Sequence, residues 1–179
     1  MKIKDLRPSE IITTRDFPVH NLQILKIYFK ICKHGDTDIL PPTPVVPLSA
    51  GLPLLKGKTK GEKGYNKRIN DYVKNNRKIR YILCDGSHKT TALTLTNNLI
   101  RAVILSSDED IKEVKELVKT GDVFSMTTGN TIKNELKQKA IHLKGAKFFE
   151  TVQDKTDRMV REKVIPDFMI RYYKRKAKE

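Results

Sequence analysis

Asp85, Gly86, Ser87, His88 and Lys89 stand side by side between an apolar run (Ile79, Tyr81, Ile82, Leu83, Cys84) and a threonine-rich segment that leads to a second apolar run, Leu99 to Leu105. The pattern reads as strand, tight turn, short helix, strand. A helix beginning near Ser87 or His88 leaves its first backbone N–H groups without intrahelical partners, and its macrodipole favours an anion at that end. A phosphate fits this description: Gly86 permits positive φ or a close backbone approach, Asp85 could orient a metal or a hydroxyl, and His88 and Lys89 add donors on the same rim. The same residues allow another outcome. Asp-Gly is the strongest short hairpin signal, and Thr91 to Thr96 alternates polar and apolar as a strand does.

Other elements must position this turn. Lys2 to Leu6 predicts a short strand, turned away by Pro8-Ser9-Glu10, where Glu10 also suits the first turn of a helix. Leu22, Leu25, Phe29 and Cys32 recur at helical spacing between Pro18 and Lys33, with Gly35 just beyond. His20 and His34 flank that helix with no partner at metal-ligand spacing. The segment Pro41 to Pro47 admits a short strand at Thr43 to Val46, and its prolines suggest an edge or a strand end. Residues 51–78 form the least regular part, a basic insertion carrying Lys56, Lys58, Lys60, Lys63, Lys67 and Arg68 among glycines, with a short helix possible from Tyr65 to Asn75. Ser107 and Asp110 resemble a capping box for a helix over Asp108 to Thr120, stopped by Gly121. A polar loop, Gly121 to Thr131, precedes two or three helices between Thr131 and Glu179.

Composition narrows the classes. With 179 residues and 38% hydrophobic content, the chain can bury one core with an appended subdomain and needs no disulfide to do so. Cys32 and Cys84 lie in apolar runs as buried thiols do, which points to a reduced, cytoplasmic protein. No signal core opens the chain and no apolar run reaches membrane-spanning length, so a soluble protein is expected, with no membrane partner. The net charge of +15 favours an anionic partner: a nucleotide, a nucleic acid or an acidic surface.

The run ILCDGSHKTTAL resembles the D-G-x-H-[RK]-x-x-A signature of the ParB/sulfiredoxin-like superfamily, and Leu6-Arg7-Pro8-Ser9-Glu10 resembles the L-[KR]-P-x-E element of its free serine kinase branch. Pro44-Val45-Val46 is similar to that superfamily's P-[IV]-x-V strand. The resemblance implies an α+β fold, a mixed sheet with packed helices, over residues 1–120, with a helical C-terminal extension over 121–179. It also implies a nucleotide-dependent phosphotransferase using ADP or ATP with Mg²⁺ on a small hydroxyl substrate such as free serine. Glu10 would be the general base, Asp85 the metal ligand or acceptor-orienting group, and His88 a catalytic donor. Gly86, Ser87, His88, Lys89 and Thr90 would hold phosphate, with Thr127 and Thr128 matching paired threonines that contact the nucleotide. Sulfiredoxin chemistry needs a cysteine immediately before the signature histidine, and that position is Ser87. The alternative is a ParB-like DNA- or RNA-binding protein with NTPase or nuclease activity, gripping its partner through Lys56 to Lys63 and the basic tail around Tyr172 and Tyr173. A helix-turn-helix after the signature, expected of partition ParB proteins, is not evident.

Overall fold

In a computed structural model of the chain, residues 1–13, 21–123 and 129–176 are described. Five strands, β1 (Lys2–Leu6), β2 (Ile11–Ile12), β3 (Thr43–Pro47), β4 (Tyr81–Leu83) and β5 (Ile100–Ile104), form one mixed sheet in the order β1-β5-β3-β4-β2. The β1/β5 and β3/β4 pairs are antiparallel, and β3/β5 and β2/β4 are parallel. Seven helices are described: α1 (Leu22–His34), α2 (Lys60–Asn75), α3 (Ser87–Leu95), α4 (Asp108–Thr120), α5 (Ile132–Lys144), α6 (Val152–Arg161) and α7 (Asp167–Lys176). This is the mixed α+β architecture.

Alternation along the strands explains why helices cover both faces. Ile11, Val45, Leu83 and Ile104 enter one core with Leu25 and Phe29 of α1, Met159 of α6 and Met169 of α7. Their neighbours Ile12, Val46, Ile82 and Val103 enter the other with Ile69 of α2, Ile111 of α4 and Leu136 of α5. Strand side chains point alternately to opposite faces, so a strand that is apolar throughout must be sandwiched. The C-terminal helices are therefore divided between the two cores.

Most helix ends sit where their capping residues predict. Ser107 and Asp110 form the expected capping box of α4, which ends at Gly121 in the left-handed conformation. Asn21 caps α1 and Gly35 closes it, while Pro18 and His20 lie outside the described residues.

Two expectations are corrected. The basic insertion is not irregular throughout: α2 is 16 residues long, begins where Thr59 accepts from the Glu62 amide, and buries Tyr65 and Ile69. Tyr65 and Tyr72 both pack on Phe149, an anchor far along the chain that propensity alone does not reveal. Nor is the proline-bearing strand an edge, although Pro47 does stand at its end. β3 lies between β5 and β4, and its register on β4 puts Pro44 opposite Cys84. There the Cys84 amide donates to the Pro44 carbonyl at 2.9 Å, but proline has no N–H to return. The Cys84 carbonyl accepts instead from Lys139 Nζ, and that substitution lets proline occupy a central strand.

Both cysteines are buried, as expected. Burial pushes the Cys32 thiol up to about 11 and raises the Cys84 thiol as well. Among the described residues, no helix is long and apolar enough to cross a membrane.

Candidate functional site

The turn after β4 opens into a helix, not a hairpin. Gly86 is the N-cap of α3 with φ 93° and ψ 30°, the left-handed region that glycine enters at least cost. Asn21, Thr59, Ser107, Thr131 and Thr151 each cap a helix with a side-chain oxygen. At α3, no side chain among the described residues does so. The first turn of α3 therefore presents its amides, and the positive end of its dipole, to whatever enters the turn.

The expected donors are arranged around this mouth. Asp85 Oδ1 accepts from the Gly86 amide at 2.6 Å, which holds the carboxylate beside the turn. His88 Nε2 accepts from the Asn21 amide at 3.1 Å, so this nitrogen carries no proton and the ring is tied to the start of α1. Lys89 is buried: its ammonium donates to the Pro41 carbonyl and, at 3.3 Å, to that of Pro42. It fastens the proline segment instead of lining the rim. Thr90 Oγ1 bonds back to the Gly86 and Ser87 carbonyls, closing the first turn from within. Thr127 and Thr128 lie outside the described residues.

Burial lowers the Lys89 ammonium to about 8, partly opposed by the Asp85 carboxylate. Its ordinary value of 10.5 holds in the unfolded chain, so between about pH 8 and 10.5 the unfolded state binds more protons and stability rises with pH. Urea unfolding should show the protein gaining stability relative to Lys89→Met across that window. Equal pH profiles would contradict the assignment.

Three residues that the sequence pattern did not single out complete the site. Thr43 is fully buried beside the turn, and its Oγ1 makes no hydrogen bond among the described residues. Lys155 of α6 is buried, with Nζ 3.1 Å from Ser87 Oγ. Lys139 of α5 is buried on the Cys84 carbonyl and pairs at 3.3 Å with Glu135, which is also fully buried. Lysines in amphipathic helices normally read as solvated, and only contact between distant elements shows otherwise.

Glu10 is placed elsewhere. Its carboxylate accepts from the Arg7 amide at 2.8 Å and lies 4.0 Å from Arg80, while its carbonyl accepts from the Arg80 amide. It therefore flanks the start of β4, whereas Asp85 and Gly86 follow that strand's end, roughly 15 Å away at about 3.3 Å per residue. The structure does not bring Glu10 to the mouth of α3. The lysines of the basic insertion are exposed, and α2, which carries several of them, packs on the opposite face of the sheet from α3. In the tail, Tyr172 packs edge-on against Phe29 and the Tyr173 hydroxyl engages Asp157 and Gln153. Both rings are used in docking α7.

Comparison with family models, with curated proteins and with solved structures finds no match to this chain.

Proposed function

We propose that the chain is a nucleotide-binding phosphotransferase of the ParB/sulfiredoxin-like kind, taking ADP or ATP with Mg²⁺ and acting on a small hydroxyl substrate such as free serine. The observation that carries this reading is the mouth of α3, a helix start that among the described residues has no side-chain cap, beside a buried Thr43 hydroxyl that has no hydrogen-bond partner among them, and the Ser87–Lys155 pair. A terminal phosphate suits that donor set, since every group there except Asp85 offers an N–H or O–H. A Cβ on Gly86 would stand 3.3 Å from Thr43 Cγ2, so Thr43 can lie this close to the turn only because residue 86 has no side chain.

Among the described residues, no group of three or more histidines, cysteines and carboxylates could hold a metal. Magnesium would be held by the phosphates and water, which leaves the Asp85 carboxylate for the acceptor. The nucleotide would supply the phosphoryl group and the cation would offset its charge. Asp85 is the carboxylate at the mouth, and we assign to it the orientation of the acceptor hydroxyl and the uptake of its proton. Glu10, at the other end of β4, takes no part in this assignment.

Thermal shift with ADP and ATP, followed by phosphate NMR of candidate acceptors, tests the proposal. Asp85→Asn should lower phosphoryl transfer by about 100-fold, within the range of general-base catalysis, with nucleotide still bound. Glu10→Ala should leave transfer within about twofold of the parent, the expectation for a group that does not meet the reacting atoms. The reverse ranking would move the base to Glu10, and the absence of any nucleotide effect would remove the kinase reading.

A further inference from the structure

Ser87 is the first residue of α3, and its hydroxyl can in principle either donate or accept. Its partner removes that choice. An ammonium has three donors and no acceptor, so when Lys155 Nζ donates to Ser87 Oγ at 3.1 Å, the hydroxyl's own proton must point elsewhere. The Ser87 carbonyl is already taken by Thr90 and Thr91.

Lys155 is held in position by more than its own bond. The Thr13 amide donates to the Glu150 carbonyl at 3.0 Å, Ile12 bridges to Thr151, and the Thr151 side chain caps α6. One turn later comes Lys155, 2% exposed. The chain thus places a buried positive charge directly behind the first hydroxyl of α3. Thr43, fully buried beside Gly86 with its Oγ1 unbonded among the described residues, independently marks the same place as lacking a polar partner.

We propose that Lys155 is a positioning residue for this site: by donating to Ser87 Oγ it turns the Ser87 proton into the mouth of α3, making that hydroxyl a fixed donor to a phosphate group. The inference rests on the reading of the mouth as a phosphate site and extends it, since recognition then requires α6 from the C-terminal segment as well as the signature turn. It also sets selectivity. A serine oxygen already occupied by an ammonium is a poor cation ligand, so the mouth takes the anion and not a metal. The ligand chemistry is a phosphate with unesterified oxygens, either inorganic or at the end of a nucleotide.

The test is a double-mutant cycle in the full chain, with binding of inorganic phosphate and of ADP measured by calorimetry. Ser87→Ala and Lys155→Met should each weaken binding about tenfold, and the double variant should bind no more weakly than Lys155→Met alone. Strictly additive losses, or wild-type affinity in Lys155→Met, would overturn the positioning role while leaving the phosphate site intact. A parent protein that binds neither probe would overturn the site itself. Binding of ADP without inorganic phosphate would show that the nucleoside contributes, and the cycle would then be read with ADP. Should Lys155→Met not fold, the parent decides: phosphate must shift the Lys155 side-chain NMR signal, and an unmoved signal overturns the proposal.

Discussion

Lys139→Met should lower the unfolding free energy by about 3–5 kcal/mol, the range for removing one partner of a buried ion pair. In a chain of this length that corresponds to a fall in Tm of about 10 °C. Two losses combine. Glu135, fully buried, would lose the ammonium now 3.3 Å from its carboxylate. The Cys84 carbonyl would lose the donor that stands in for the missing amide of Pro44. Pairing the change with Glu135→Leu should recover part of the loss, because an apolar pair replaces both members of the buried ion pair while the Cys84 carbonyl still lacks its lysine donor. Urea unfolding of the two variants decides. A single variant within about 0.5 kcal/mol of the parent, the scale of ordinary surface substitutions, would mean that this pair does not secure the floor of the turn.

The second large effect belongs to Gly86. Gly86→Val should raise the dissociation constant for ADP by about 100-fold, the scale of a 1 Å misplacement at a positioned site, and cost about 1–3 kcal/mol in backbone strain. A β-branched residue does not accept φ 93°, and its Cβ would press on Thr43 Cγ2 at 3.3 Å. Gly86→Asn should bind ADP better than Gly86→Val, because asparagine tolerates left-handed backbone. Equal binding by the two variants would show that the left-handed turn is not what shapes the mouth.

How much of this was legible depended on whether local signals agreed with distant ones. α4 was fully readable, because Ser107, Asp110, Gly121 and the apolar spacing between them are all local. The strand, glycine turn and helix at Leu83 to Lys89 were readable only in part, because Asp-Gly and the alternation of Thr91 to Thr96 also allowed a hairpin. The choice between them falls to burial: Thr90, Thr91, Ala92, Leu93, Thr94 and Leu95 are all buried, and a helix whose sides are all covered has no amphipathic pattern to display.

α2 was only half visible. Its Thr59 and Glu62 are a recognisable start, and Tyr65, Ile69 and Tyr72 share a face, but Gly61, Gly64 and the surrounding lysines argue for loop. The position of β3 was concealed by its prolines, which a neighbouring lysine makes tolerable. That lysine, Lys155 and Glu135 are the least legible parts, since a charged residue in a helix reads as solvated until the element it meets is known. Glu10 shows the converse: a short motif fixes its local turn, capped on the Arg7 amide, without fixing which end of the sheet it serves.

If phosphate binds where α3 begins, amide NMR of the intact protein titrated with ADP will locate it. The largest shifts should fall on Gly86, Ser87, His88 and Lys89, with Thr43 and Lys155 following. Saturable shifts centred instead on the exposed face of α2, or on Glu10 and Arg80 with the α3 amides unmoved, would contradict it.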